Sequence, residues 1–139
     1  MKDAQLPVQE AIYSVLSEDS ALTSLCGTGQ FVFDQVPKGR STPFITIGEF
    51  TVIDGSTQGI DGQELTLNVH SWDQEQSTKR LKQMMAAVLA ALHDTDLELS
   101  DEDLAVVNCR FLSSVVLRDP DGKTVHGIQR FKIVVDADQ

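Results

Sequence analysis

Apolar residues spaced three to four positions apart predict two short helices near the start of the chain. The first runs from about Pro7 to Ser17, and proline suits the first turn of a helix because its missing N–H group would be unpaired there. A second, capped by Asp19 or Ser20, ends at Gly27. The inward face of the first helix consists of Val8, Ile12, Val15 and Leu16.

A longer stripe predicts the main helix, from about Gln74 to His93. Asp73 is a candidate N-cap, with Gln76 as the reciprocal partner of a capping box. This helix needs an apolar surface to lie against, and the strands provide one. Its stripe consists of Leu81, Met84, Met85, Val88, Leu89 and Leu92.

β-Branched and alternating segments predict strands over Phe31–Val36, Pro43–Ile53 and Gln63–Trp72. In the third, apolar residues alternate with polar ones, so one face is buried and the other is solvated. Between the last two lies a segment with three glycines in nine residues, which predicts a mobile hairpin loop. This loop consists of Asp54, Gly55, Ser56, Thr57, Gln58, Gly59, Ile60, Asp61 and Gly62.

The sequence Asp119-Pro120-Asp121-Gly122 predicts a tight turn with a bulge between two final strands. A three-residue loop pairs Asp119 with Lys123, and this register opposes apolar residues all along the hairpin. A slip by one residue would turn the core side chains toward solvent. The expected pairs are Leu117 with Val125, Phe111 with Phe131, Cys109 with Ile133 and Val107 with Val135.

These elements predict an α+β fold in a single domain over residues 1–139. An antiparallel sheet of about five strands carries the long helix and the short N-terminal helical pair on one face. The 139 residues suffice for a core without disulfides.

Composition narrows the class of protein further. The chain has 21 acidic and 11 basic residues, a formal charge of −10, which disfavours a DNA-gripping protein. No apolar run is long enough for a membrane span, and the N-terminus lacks a secretion-signal pattern. Two cysteines form no disulfide framework and are typical of a reducing compartment.

The reactive residue types form no recognisable catalytic or metal site. Cys109 faces the predicted core and His126 the opposite face, so the two cannot act as a pair. Cys26 is predicted to be a small buried residue, and His93 to close the main helix. His70 lies on a polar strand face, where an exposed or interface role is expected. We therefore expect no catalytic residue, no cofactor and no metal ligand.

A basic strip departs from the acidic background. In the predicted register Arg110 faces Lys132, and Leu112 faces Arg130, on the face away from the core. Like charges directly opposite each other are unfavourable. Either nearby acids neutralise them, or they meet an acidic partner or another copy of the chain.

Several segments, in this order and spacing, resemble the tail-completion proteins of siphophages, prophages and gene transfer agents. The resemblance covers about Gln5 to Val135. Its segments are Ala11-Ile12-Tyr13, Asp19-Ser20-Ala21-Leu22, Val32-Phe33-Asp34-Gln35-Val36-Pro37, Pro43-Phe44-Ile45-Thr46-Ile47-Gly48, Leu67-Asn68-Val69-His70-Ser71-Trp72, Ala90-Ala91-Leu92-His93-Asp94 and Leu117 to Gly127.

This resemblance implies a structural tail terminator without catalytic residues. Such a protein forms a ring, a hexamer in this family, at the head-proximal end of the tail tube. It stops tube polymerisation and joins the tail to the head connector. The implied partners are other copies of the chain, the tail tube protein and the head connector or stopper, with DNA only as cargo through the lumen and no membrane. The implied location is the virion tail, and the bacterial host cytoplasm during assembly.

Within that function, three groups of residues are candidates for a role. The loop Asp54–Gly62 is a candidate docking element. Arg110, Arg130 and Lys132 are candidates for subunit or partner contacts. Candidates for an acidic lumen are Glu49, Asp54, Asp61 and Glu64.

Two alternative functions remain open. The chain is another head–tail joining or minor tail protein, or a small ligand-binding α+β domain that uses His70, His126 or the acidic loop.

Overall fold

The computed structural model describes residues 1–137 and confirms the α+β class. Within these residues three helices and a five-stranded sheet form. The elements are α1 (Gln5–Glu18), α2 (Ser20–Cys26), β1 (Val32–Phe33), β2 (Phe44–Asp54), β3 (Gly62–Asp73), α3 (Lys79–Leu92), β4 (Leu104–Arg118) and β5 (Val125–Ala137).

The strands are arranged in the order β1-β2-β3-β5-β4. All neighbours are antiparallel except β1, which runs parallel to β2. Alternate residues of β3, such as Leu65, Leu67 and Val69, are fully buried and share one core with α1 and α3. The helices therefore cover one face of the sheet, as the alternation predicted.

The two N-terminal helices form where the sequence predicted them. α1 begins at Gln5, two residues before Pro7, and buries Val8, Ile12 and Leu16. Asp19 caps α2, since its carboxylate accepts a hydrogen bond of 3.0 Å from the Leu22 N–H group. Gly27 ends this helix with a φ of 91°, a backbone conformation that glycine adopts without a steric penalty.

The predicted start of the main helix is wrong. α3 begins at Lys79 rather than Gln74, because Asp73 remains in β3 with its side chain fully buried. Its carboxylate accepts hydrogen bonds from Arg80 Nε at 2.9 Å and Arg80 Nη2 at 2.6 Å, and from the Gln74 N–H group at 2.8 Å. Asp73 thus ties the end of β3 to the first turn of α3 and forms no capping box with Gln76.

The predicted stripe of α3 is confirmed. Leu81, Met84, Met85, Val88 and Leu92 are buried, and Leu89 packs against the core. Met85 passes so close to β5 that a Cβ atom on Gly127 would lie 2.3 Å from its sulfur. A glycine at this strand position therefore accommodates the helix.

The predicted register of the final hairpin is correct in its middle and wrong toward its ends. Cys109, Arg110 and Phe111 oppose Ile133, Lys132 and Phe131, as predicted. The register shifts between Val106 and Asn108 and again between Phe111 and Ser113, so two β-bulges interrupt β4. The corrected pairs are Leu117 with His126, Val106 with Val135, and Ser113 in place of Leu112 with Arg130.

The turn itself is stabilised by hydrogen bonds that the side chain of Asp121 accepts. Asp121 Oδ1 accepts from the N–H groups of Lys123 and Thr124, each at 2.8 Å. The first strand is also shorter than predicted. β1 contains only Val32 and Phe33, which pair with Ile45 and Thr46.

Replacing Arg80 with Met should lower the free energy of unfolding by about 2 kcal/mol, because it leaves the buried Asp73 carboxylate without its cation. The estimate is below that for fully buried pairs, since the Arg80 side chain is 32% exposed. Lys79→Met, on the exposed neighbour, should change stability by less than about 0.5 kcal/mol. Urea unfolding of both variants measures the difference, and equal effects would contradict the role assigned to Asp73.

Candidate functional site

The sheet face opposite the helices, here called the open face, carries the most unusual side chains of the molecule. Alternate residues of β3 and β5 point toward it, together with residues of β1, β2 and β4 in register with them. Its central members are Thr46, Glu64, Asn68, His70, Trp72, Val115, Leu117, His126, Ile128, Arg130 and Lys132.

An aromatic row crosses one end of the open face and consists of Phe33, Phe44, Trp72 and His126. Neighbouring ring centroids lie 6.2 Å apart for Phe33 and Phe44, and 6.3 Å apart for Phe44 and Trp72. The Trp72 and His126 rings stack closely, with centroids 3.5 Å apart and planes 13° apart. The guanidinium of Arg40 lies 5.7 Å from the centre of the Phe33 ring, within reach of a cation–π attraction.

Two histidines and a glutamate form a hydrogen-bonded chain beside this row. His70 Nδ1 lies 2.7 Å from His126 Nε2, and His70 Nε2 bonds to a carboxylate oxygen of Glu49. The other Glu49 oxygen accepts from Asn68 Nδ2 at 3.1 Å. With Glu49 ionised, His70 donates from Nε2 and accepts at Nδ1 from a protonated Nε2 of His126. Each hydrogen bond of the chain then has one donor and one acceptor.

The local environment favours that protonation state. Burial and the neighbouring His70 lower the pKa of His126 below its ordinary value. Partial burial opposes ionisation of Glu49, but the hydrogen bonds from Asn68 and His70 lower its pKa overall. Burial therefore outweighs the charge of Glu49, which alone would raise the pKa of His126.

The predicted basic strip lies on the open face, and two of its three cations have acidic neighbours. Arg110 Nη1 is 3.4 Å from Asp94 Oδ1, and Lys132 Nζ is 3.5 Å from Glu64 Oε1. Arg130 is exposed and forms no ion pair with a carboxylate of residues 1–137. Neighbouring acids therefore balance part of the strip, and Arg130 remains available.

The four acids predicted for a lumen all belong to the β2–β3 hairpin, but they do not point in one direction. Glu49 and Glu64 lie on the open face and contact His70 and Lys132. Asp54 lies at the end of β2, where its carboxylate accepts from the Ser56 N–H group at 2.9 Å. Asp61 is exposed in the loop.

The predicted docking loop contains a hydrogen-bonded turn. The backbones of Thr57 and Ile60 exchange two hydrogen bonds of 3.0 Å, and the Gly55 N–H group donates to the Gly62 carbonyl at 2.9 Å. Gly59 has a φ of 82°, which the turn requires. The loop therefore presents a defined end to the hairpin.

The remaining reactive groups behave as packing residues. Burial raises the pKa of Cys109 to about 12, with a smaller contribution from the charge of Asp94. It raises that of the half-buried Cys26 to about 11. Neither thiol forms the thiolate that nucleophilic chemistry needs at neutral pH. His93 follows α3, and its Nδ1 accepts from the Phe111 N–H group at 3.0 Å.

Sequence reasoning placed His70 on the correct strand face but missed its partner. His70 is only 8% exposed rather than solvated, because Glu49 and His126 enclose it. The two histidines meet because β3 and β5 are neighbours, and no local pattern in the chain indicates that neighbourhood. The predicted separation of Cys109 and His126 onto opposite faces is confirmed.

No other cluster suggests chemistry. Within residues 1–137 no group of three or more His, Cys, Asp or Glu side chains could hold a metal ion. No helix in that part of the chain is long and apolar enough to cross a membrane. A shallow groove of about 390 Å³ lies between α1 and residues 96–100, lined in part by Glu10, Asp96 and Glu98. It lies on the helical side of the sheet, away from both histidines of the open face.

Comparison with known proteins finds a family and two similar structures. A family model described as "Tail completion protein gp17" matches residues 10–136. A chain of the virion of a native gene transfer agent particle superposes with a TM-score of 0.89 at 25% identity, over 99% of this chain and 100% of that one. The gp17 protein of bacteriophage SPP1 has the same fold, with a TM-score of 0.62 at 20% identity, over 95% of this chain and 91% of that one. A search of curated proteins finds no match.

Acidification should weaken the fold through His126. Its lowered pKa means that the unfolded chain binds a proton more readily, so this histidine contributes stability above about pH 6.5 that is lost as pH falls. His126→Phe retains an aromatic ring against Trp72 but cannot titrate. In urea unfolding at pH 7.5 and pH 5.5, the stability of the native chain relative to this variant should be lower at pH 5.5. A difference that is constant, or larger at pH 5.5, would contradict this interpretation.

Proposed function

The chain belongs to the tail completion protein family, and from this membership we propose that it terminates and caps a phage-type tail tube. In this proposal it sits at the head-proximal end of the tube, stops further polymerisation and provides the surface to which the head connector docks. Its role is structural, so the open face and the hairpin loop are surfaces for assembly.

The observation that carries the proposal is the extent of the similarity. A chain from a gene transfer agent virion matches 99% of this chain and is itself matched over its full length. The similarity therefore extends over nearly the whole of both chains, and the matching chain belongs to a gene transfer agent particle. The buried Cys109 and the enclosed His70 and His126 are consistent with a structural role.

A terminator must present different surfaces to its neighbours. We infer that several copies, six by the resemblance, form a closed ring, because a contact between two different surfaces of the same chain repeats until the rotation closes. One side of such a ring meets the tail tube protein and the other meets the connector or stopper. The ring belongs to the virion tail and would assemble in the cytoplasm of the bacterial host.

The charge of the chain supports DNA as cargo rather than ligand. Each copy carries −10, so a ring of six carries about −60, and such a field repels phosphates from the lumen. Residues 41–72 contain four acids and no base, and they form the β2–β3 hairpin. We therefore assign part of the lumen lining to Glu49, Asp54, Asp61 and Glu64.

Deleting the gene for this protein should give particles whose tails have irregular, often excessive length and do not join heads. Supplying the native gene in trans should restore normal tail length and joining. A shortened hairpin should not restore them if the loop docks. Replacing Thr57–Ile60 with Asn-Gly retains the register, since Ser56 and Asp61 then flank a two-residue turn.

Electron microscopy of tails measures both effects, and circular dichroism with thermal unfolding checks that the shortened chain folds. Normal tail lengths without the gene would contradict termination, and joining defects alone would indicate another head–tail joining protein. Full rescue by the shortened hairpin would remove the loop from the docking surface.

Reversing the charge of the hairpin should slow DNA delivery by particles that assemble normally. Asp61→Lys would place a cation where DNA passes, so phosphates would be retained. Glu10→Lys makes the same change of charge at an exposed position of α1. DNA transfer per assembled particle is the measurement. Equal transfer by both variants would exclude the hairpin from the lumen.

A further inference from the structure

The sheet has two edges where backbone groups are open to a further strand. β1 pairs only with Ile45 and Thr46, so within residues 1–137 no strand lies beside the outer side of β2 from there to its end at Asp54. β4 is the other edge strand of the sheet as described over residues 1–137. Unpaired strand edges bind other strands readily, and monomeric proteins usually protect them.

Part of the β4 edge is protected by the chain itself. The Asp94 N–H group donates to the Cys109 carbonyl at 2.8 Å, and the Phe111 N–H group donates to His93. The two β-bulges interrupt the strand on either side of this section. Residues 113–118 pair with β5 without a bulge, and most of them are exposed to solvent.

Both open edges carry exposed apolar side chains on the same side of the sheet. Val115 and Leu117 are 45% and 44% exposed, and they pair with Ile128 and His126 on the open face. Ile53 is 55% exposed and pairs with Glu64, also on the open face. If the β4 edge of one copy continued the sheet at the β2 edge of another, these side chains would lie together on one surface.

The charges of the two edges are complementary. Arg118 ends the 113–118 stretch of β4, and Arg130 of β5 pairs with Ser113 at its other end. Asp54 ends β2, in a segment of the chain without any base. A contact between two β4 edges would instead oppose arginine to arginine, which is unfavourable.

From these edges we propose that residues 113–118 of one copy pair with residues 51–54 of the next, and so continue one sheet from copy to copy. The partner is a second copy of this chain. Because the contact uses two different edges, each added copy leaves one of each kind free, and the series ends only when a ring closes. This inference rests on the proposed ring and names the surfaces that form it.

Thiol cross-linking between copies tests the contact directly. Leu117→Cys and Ile53→Cys place a thiol on each edge, in a Cys26→Ser background that leaves only the buried Cys109. Treated with a short bismaleimide, a mixture of the two single variants should yield a cross-linked dimer, and neither alone should. The chain with both thiols should give a ladder that ends at the ring size. Leu6→Cys, on exposed α1, should not cross-link to Leu117→Cys.

Disruption gives a second, independent measurement. Val115→Lys with Leu117→Lys should raise the concentration needed for ring assembly at least tenfold, as measured by sedimentation and negative-stain imaging. Leu6→Lys with Tyr13→Lys, which change exposed residues of α1, should leave it unchanged.

The outcomes separate this inference from the ring itself. The edge contact would be overturned, but not the ring, by one result. Rings would form although Leu117→Cys and Ile53→Cys do not cross-link and although lysines replace Val115 and Leu117. If Leu117→Cys and Ile53→Cys cross-link but the ladder of oligomers shows no limiting size, the contact would be supported and the closed ring contradicted. Cross-linking of Leu117→Cys with itself would show a β4–β4 dimer and overturn the contact. Neither rings nor cross-links from the chain in solution would overturn both.

Discussion

The antiparallel pairing of β3 with β5 is the constraint on which the rest of the molecule depends. It runs from Gly62–Asp136 to Asp73–Val125 without a bulge. Because side chains alternate along paired strands, this one register sends Leu67 and Phe131 toward the helices. It sends His70 and His126 toward the open face, where they meet. A slip by one residue would exchange the two sets and bury the polar chain beneath α3.

Local patterns predicted those features that neighbouring residues determine. The Asp19 cap, the α3 stripe and the centre of the final hairpin depend on spacing and turn chemistry, which are readable along the chain. The bulges of β4 are not readable in this way, since residues 112–117 (Leu-Ser-Ser-Val-Val-Leu) show no alternation that would fix the register there. Asp73 was misassigned because its position before an apolar stripe fits two roles. An aspartate there can cap the following helix, or it can stay in the preceding strand and bind Arg80. The contact of His70 with His126 can be predicted only if β3 and β5 are known to be neighbours. The alternation within each strand does not determine which strands are neighbours.

The two faces of the sheet are stabilised by different physics. The helical face is an apolar core, whose stability comes from the area removed from water. The open face is held by directional contacts: the stacking of Trp72 on His126 and the bonds from His70 to Glu49. Such contacts fix side-chain positions without a covering layer, so the surface is ordered before any partner arrives. A preorganised surface loses less conformational entropy on assembly, which suits the docking role proposed for this face.

Charge adds a second asymmetry, between the hairpin and the rest of the chain. Elsewhere acids and bases meet: Lys2 lies between Asp101 and Asp103, and Arg80 binds Asp73. The β2–β3 hairpin has no lysine or arginine, and among residues 1–137 only Lys132 of β5 and His70 pair with its acids. Within that part of the chain no cation pairs with Asp54 or Asp61. A surface of this kind either repels polyanions or attracts cations from a neighbour, and the arginines of β4 belong to the opposite edge of the same sheet. The proposed ring would satisfy both, with cations at each contact between copies and uncompensated acids along the proposed path of DNA.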